Sequence, residues 1–231
     1  MNEQFRARAN LILLIFGFVI LIYVIKVAPS LLYDPIVYEL KVSGNRFLST
    51  KYIKNIVMPV GGVRLSALTV PYDPFIKSYS IKYEGNGMAQ LFVTERTPAF
   101  ISSTSMGYFL TSPEGVFLAQ ISKDDLYKLT GMMIVFGIDS FNFNGTGIIN
   151  PVLVSEIDEI LSYPALLKKE ILEVDIKTNT LYFAKGVSVR FENLNLSPSV
   201  DEVILSMIKT SKIGSRYIFI DNNFIELPQS F

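Results

Sequence analysis

The chain has 231 residues, its Lys plus Arg equal its Asp plus Glu at 21 each, and half of it is hydrophobic. Zero net charge gives neither a basic field for nucleic acid nor an acidic field for a cationic partner. Cysteine and histidine are both absent, which excludes disulfide frameworks, Ser-His-Asp triads, Cys-His dyads and nearly all zinc sites.

Leu11–Ile25 is an uncharged run of Leu, Ile, Val, Phe, Gly and Tyr. Alone it makes about 22 Å of helix, short of the ~30 Å hydrocarbon thickness. Ala7, Ala9 and Asn10 extend it backwards, and Val27, Ala28, Leu31 and Leu32 forwards, with Lys26 snorkelling to the headgroups. The pattern predicts a transmembrane helix over 11–33 behind a tail of residues 1–10. Arg6 and Arg8 outweigh Glu3, so the positive-inside rule keeps that tail cytoplasmic and exports the remainder. The expected location is the cytoplasmic (inner) membrane, crossed once. A cleaved signal peptide is the alternative, with Ala28-Pro29-Ser30 as its small-x-small site.

Ile36–Val42 alternates as a half-buried strand, and Ser43-Gly44-Asn45 is turn chemistry. Ser49 is positioned to cap a short helix carrying Tyr52, Ile53, Ile56 and Val57, which Pro59 and Gly61-Gly62 terminate. Arg64–Asp73 fits either a second short helix or a loop. Ile76–Tyr83 and Met88–Glu95 flank Glu84-Gly85-Asn86-Gly87 and predict a hairpin.

Beyond Pro98 the chain is strand-rich. Tyr108–Thr111 and Val116–Ala119 flank the turn Ser112-Pro113-Glu114-Gly115, and apolar Met132–Phe136 predicts a buried strand. Asn150-Pro151 opens a helix with Leu153, Val154, Ile157, Ile160 and Leu161 on one stripe. A meander follows through Leu172–Lys177, Leu181–Ala184 and Val187–Phe191. Ser199 and Glu202 form a capping box for a second helix, whose stripe is Val200, Val203, Ile204, Met207 and Ile208. Tyr217–Ile220, the turn Asp221-Asn222-Asn223 and Phe224–Leu227 close the chain.

Val42-Ser43-Gly44-Asn45 and Val93-Thr94-Glu95-Arg96-Thr97-Pro98-Ala99 resemble the entry turn and exit of the POTRA module in FtsQ/DivIB cell-division proteins, V-x-G-N and V-x-E-R-x-P-[VA]. The hairpin around Ser112–Gly115 and the meander resemble that family's β domain. Phe191 stands where a Gly is common, and Phe219 and Asp221 replace the Asp and Arg of the penultimate strand. The resemblance implies an α+β fold: an N-terminal transmembrane helix, a POTRA domain (strand-helix-(helix)-strand-strand) over 34–98, and a mostly antiparallel β domain backed by two helices over 99–231. It implies a non-enzymatic divisome scaffold at the division septum, which recruits FtsB/DivIC and FtsL by strand addition and other divisome subunits through the POTRA domain. Cofactor, metal, nucleic acid and small-molecule substrate are all expected to be absent. A POTRA-containing component of protein export or outer-membrane assembly is the alternative, and a secreted enzyme using carboxylates is a third.

Ser206-Met207-Ile208-Lys209 matches S-x-x-K, but without K-T-G it reads as the end of an amphipathic helix. Glu156, Asp158 and Glu159, and the loop pair Asp124-Asp125, read as solvated acids rather than an acid–base pair. Asn144-Gly145-Thr146 and Asn195-Leu196-Ser197 are glycosylation sequons by pattern alone. Glu95-Arg96 reads as an exposed ion pair of about 0–1 kcal/mol. The terminal strands offer an apolar edge for a partner, so the docking residues are expected to be Tyr217, Ile218, Phe219, Ile220, Phe224, Ile225, Glu226 and Leu227.

Overall fold

The computed structural model describes residues 14–23, 33–129, 131–139, 147–221 and 223–228. Residues 14–23 are helical, which is about 15 Å of rise and half of a bilayer core. Among the described residues no helix is long and apolar enough to cross a membrane. This overturns the expected transmembrane helix and, with it, the single-pass location in the inner membrane. The rest of that expectation (the tail 1–10, residues 11–13 and 24–32, and the cleavage site) lies outside the described residues.

The described chain divides into two compact units, one drawn from Met1–Tyr72 and Ser78–Glu95, the other from Asp73–Lys77 and Arg96–Phe231. In the first, the expected strand over 36–42 is two strands, β1 (Ile36–Val37) and β2 (Glu39–Ser43). The break falls at Tyr38, where the N–H groups of Tyr38 and Glu39 both donate to the carbonyl of Gly87. Helix α1 (Thr50–Val57) begins where Ser49 accepts from the Tyr52 N–H, as its sequence predicts. β3 (Val63–Arg64) pairs with β1. β2, β5 (Met88–Glu95) and β4 (Ile76–Gly85) form a sheet in that order, with β2 parallel to β5. Val37, Leu40, Ala89, Leu91, Val93, Ile53 and Val57 are among the buried apolar residues of these elements.

The optional second helix is reduced to the 3₁₀ turn Leu65–Ala67. Asp34 holds this turn, its carboxylate accepting from the Ser66 N–H at 2.9 Å and the Ser66 hydroxyl at 2.7 Å. Those two bonds keep the Asp34 carboxyl below its ordinary range. Pro71 and Pro74 follow, and a missing N–H plus a fixed φ oppose any continuation of helix.

The second unit is built on a nine-stranded sheet in the order β14-β13-β12-β11-β10-β9-β6-β7-β8. These strands are β6 (Phe100–Thr104), β7 (Gly107–Thr111), β8 (Phe117–Ile121), β9 (Ile134–Phe136), β10 (Ile171–Asp175), β11 (Thr180–Phe183), β12 (Ser188–Arg190), β13 (Arg216–Ile220) and β14 (Asn223–Leu227). The sheet is mixed, which corrects the mostly antiparallel expectation. β9 runs parallel to both β6 and β10, and β12 parallel to β13. Two of these joints have a helical connection as their cause: a helix between consecutive strands carries the chain back to its starting end.

Among the described residues this unit has three α-helices rather than two: α2 (Pro151–Leu161), α3 (Ala165–Glu170) and α4 (Pro198–Thr210). α2 starts where Asn150 accepts from the Val152 N–H with Pro151 in the first turn. α4 starts at Pro198, with Ser197 in the cap position in place of Ser199. Val203, expected on the apolar stripe, is 48% exposed, while Val200, Ile204 and Ile208 are buried. These three join Ile157, Ile160 and Leu167 from the other helices, and Val135, Val174, Leu181 and Val189 from the strands, in one apolar core. In β10 the expected alternation is interrupted: a bulge between Ile171 and Glu173 buries Ile171 and leaves Leu172 half exposed.

Candidate functional site

The terminal hairpin occupies one end of the nine-stranded sheet. β14 pairs with β13 in the register Arg216–Leu227, Tyr217–Glu226, Ile218–Ile225, Phe219–Phe224 and Ile220–Asn223. Its other side pairs with no strand among the described residues. Directly opposed residues of an antiparallel pair share a face, so the eight expected docking residues separate into two sets.

Tyr217, Phe219 and Phe224 turn towards the helices and pack on the apolar core. Their rings contact one another, Phe219 with Phe224 at 4.9 Å between centroids and Tyr217 with Phe224 edge-on at 6.2 Å. Phe191 extends the group to Phe219 at 5.5 Å, each such pair adding about 0.5–1.5 kcal/mol beyond its buried area. The hydroxyls of Tyr217 and Ser211, the residue closing α4, lie 3.0 Å apart. Glu226 accepts from the Ser215 hydroxyl at 2.8 Å. These residues hold the hairpin to its own body.

Ile218, Ile220, Ile225 and Leu227 face the opposite way, where Ile225 is 52% and Ile220 37% exposed. That face continues across the sheet. Parallel pairing sets Arg190 beside Ile218 and Ser188 beside Arg216, and antiparallel pairing sets Thr180 beside Arg190 and Tyr182 beside Ser188. Thr180, Tyr182, Ser188, Arg190, Arg216, Ile218 and Leu227 thus line a cleft of about 500 Å³. Arg190 and Arg216 make no ion pair among the described residues. Neither arginine belongs to a motif that the sequence singles out. The polar–apolar alternation of Val187–Arg190 signals which side Arg190 takes, but its nearness to Ile218 exists only through the β12–β13 pairing.

The other sequence candidates stay apart. Ser206 and Lys209 are exposed on α4, and Glu156, Asp158 and Glu159 are exposed on α2. Asp125 is tied to Ser122 and Lys128, which lower its carboxyl below the ordinary range, with Lys128 the larger cause. Asn195 is an exposed loop residue, and Asn144-Gly145-Thr146 lies outside the described residues. Among the described residues no three acidic side chains are grouped to hold a metal ion.

Glu95 and Arg96 do not form the expected exposed ion pair. Glu95 accepts the N–H groups of Arg46 at 2.7 Å, Phe47 at 2.6 Å and Leu48 at 3.0 Å. The Arg96 guanidinium donates to the carbonyls of Pro74 at 2.9 Å and Ile76 at 2.7 Å. Both side chains organise backbone that lacks partners within its own element.

The geometry defines an α+β protein of two units, with a helix-covered sheet that ends in β14, an edge strand whose outer side pairs with no strand among the described residues. A scan against protein-family models finds no match, and a search of curated proteins returns none.

Proposed function

We propose that the protein is a non-enzymatic scaffold of the bacterial cell-division machinery, of the FtsQ/DivIB kind, which takes up an extended segment of an FtsB/DivIC-type partner along β14. The carrying observation is the half-exposed Ile225 on the last strand of the sheet, opposite Ile218. An unpaired edge offers backbone donors and acceptors to an added strand, and the apolar residues beside it select alternate side chains of the incoming segment. The resemblance at Val42–Asn45 and Val93–Ala99 gains a physical basis, because Glu95 of the second motif binds the backbone immediately after Asn45 of the first. FtsL is recruited together with the FtsB/DivIC-type subunit, and the three-stranded sheet of the first unit offers β4 as a second edge for other divisome subunits.

Co-expression with the FtsB/DivIC-type subunit of the same cell tests this reading. Ile225→Asp is the informative variant, since Phe224 belongs to the core and its replacement by Asp would disturb the hairpin itself. The expected result is co-purification with the unaltered chain and loss with Ile225→Asp, at unchanged circular dichroism. Retention of the partner by the variant refutes the docking edge. Depletion of the protein is expected to give undivided filaments, and normal division on depletion refutes the wider role.

A further inference from the structure

Asp201 is the anomaly of the core. It lies in the first turn of α4, it is 6% exposed, and its Oδ1 is buried without a hydrogen-bond partner. Its neighbours in sequence and along the helix, Val200 and Ile204, are core residues. Tyr163, which follows α2 and is 5% exposed, is near enough for the charge of Asp201 to disfavour its ionisation, after burial as the larger cause. The Tyr163 hydroxyl is already spent, however, because it donates to the carbonyl of Leu194.

We propose that Asp201 is a proton-operated latch, which seats the first turn of α4 on the core as the neutral acid and releases it as the carboxylate. A neutral carboxyl group leaves one weakly solvated oxygen in the core; an ionised one leaves an unpaired charge, which is far more costly. The surrounding charges give the carboxylate no relief. Glu159 on α2 is negative and acts on Tyr163, Glu202 on α4 is exposed, and Lys168 on α3 is engaged with the carbonyl of Leu161. The helix dipole attracts a first-turn anion, but that attraction falls off within one turn and satisfies no lone pair. Burial accordingly raises the Asp201 carboxyl above its ordinary range, with no cation opposing it.

The sign follows from linkage. A group whose titration point is raised by folding contributes stability below its unfolded value and loses it as pH climbs through the folded one. Helix α4 backs Tyr217 and Phe219 through the shared core, and Ser211 at its end meets Tyr217. Release at the first turn therefore reaches the hairpin through one rigid element. The latch is independent of what the hairpin binds.

Thermal unfolding of the full chain and of Asp201→Asn between about pH 3 and pH 8 tests the latch, since the acid end must lie below the ordinary aspartate value. The expected result is a midpoint for Asp201→Asn about 3 °C or more above that of the unaltered chain at the alkaline end, converging at the acid end. A difference that is constant across the range, or a variant less stable at the alkaline end, overturns the proposal. Carbon-13 NMR of the Asp201 carboxyl in the unaltered chain needs no variant to fold: a titration midpoint raised above the ordinary aspartate value supports the latch, and an ordinary or lowered one overturns it.

Discussion

The carboxylate of Glu95, at the end of β5, closes the loop that leads into α1 by accepting the N–H of Leu48 at 3.0 Å, with Arg46 and Phe47 on its other oxygen. Three consecutive N–H groups converging on one anion form a nest, which backbone dipoles favour for negative charge. The contact spans 47 residues of sequence, so it ties the start of α1 to strand β5.

Glu95→Ala is expected to lower the stability of the first unit by about 1–3 kcal/mol, since charge-assisted bonds of this type are worth about that much. Glu95→Gln keeps one acceptor oxygen and recovers part of the loss. Urea denaturation followed by circular dichroism reads both changes. An unaltered midpoint for the alanine variant contradicts the role of the nest.

Gly44 sits at φ +85° in the same loop, and a Cβ placed on it would lie 2.2 Å from the carbonyl oxygen of Val93. The backbone conformation disfavours any L side chain, and the obstacle is backbone that cannot rotate away. Gly44→Ala is expected to cost about 2–4 kcal/mol, as local strain adds to a clash. A variant within about 0.5 kcal/mol of the unaltered chain would place the loop elsewhere.

Lys77 pairs with Glu114 within the second unit, and its hydrogen bond is the largest cause drawing the Glu114 carboxyl from 4.5 down to about 2. A lowered carboxyl contributes stability above its unfolded value and loses it as pH falls towards its folded one. The contribution is therefore complete above about pH 5 and gone near pH 2. Both side chains are about half exposed, and solvent screening limits the pair to about 1 kcal/mol or less. Lys77→Ala is expected to narrow its stability gap from the unaltered chain on acidification, and to narrow it in high salt as well. A gap that widens towards acid would show that the lysine stabilises by another route.

Local chemistry settled several elements from the sequence by itself. Ser49 caps α1, Asn150 and Pro151 open α2, and Asn86-Gly87 turns β4 into β5 with Asn86 at φ 50° and Gly87 at φ 71°. Each depends on dihedral preferences and hydrogen bonds within about four residues, which travel with the residues themselves. The apolar stripe of α2 is likewise local, because Ile157 and Ile160 repeat with the helix period whatever they are packed against.

Only the tertiary structure decided who neighbours whom. Alternation along a strand tells two faces apart, but it does not say which strand lies alongside, so the parallel placement of β9 between β6 and β10 left no mark in residues 134–136. The same holds for Glu95, whose three partners lie some 47 residues away, and for Arg190, which meets Ile218 through strand pairing alone. Asp201 carries the point furthest: in sequence it is an ordinary first-turn acid, and only packing from α2, α4 and the sheet makes it a buried one. Long-range contacts are selected by the burial they achieve together against the entropy of closing the chain, and no short window of sequence contains that balance.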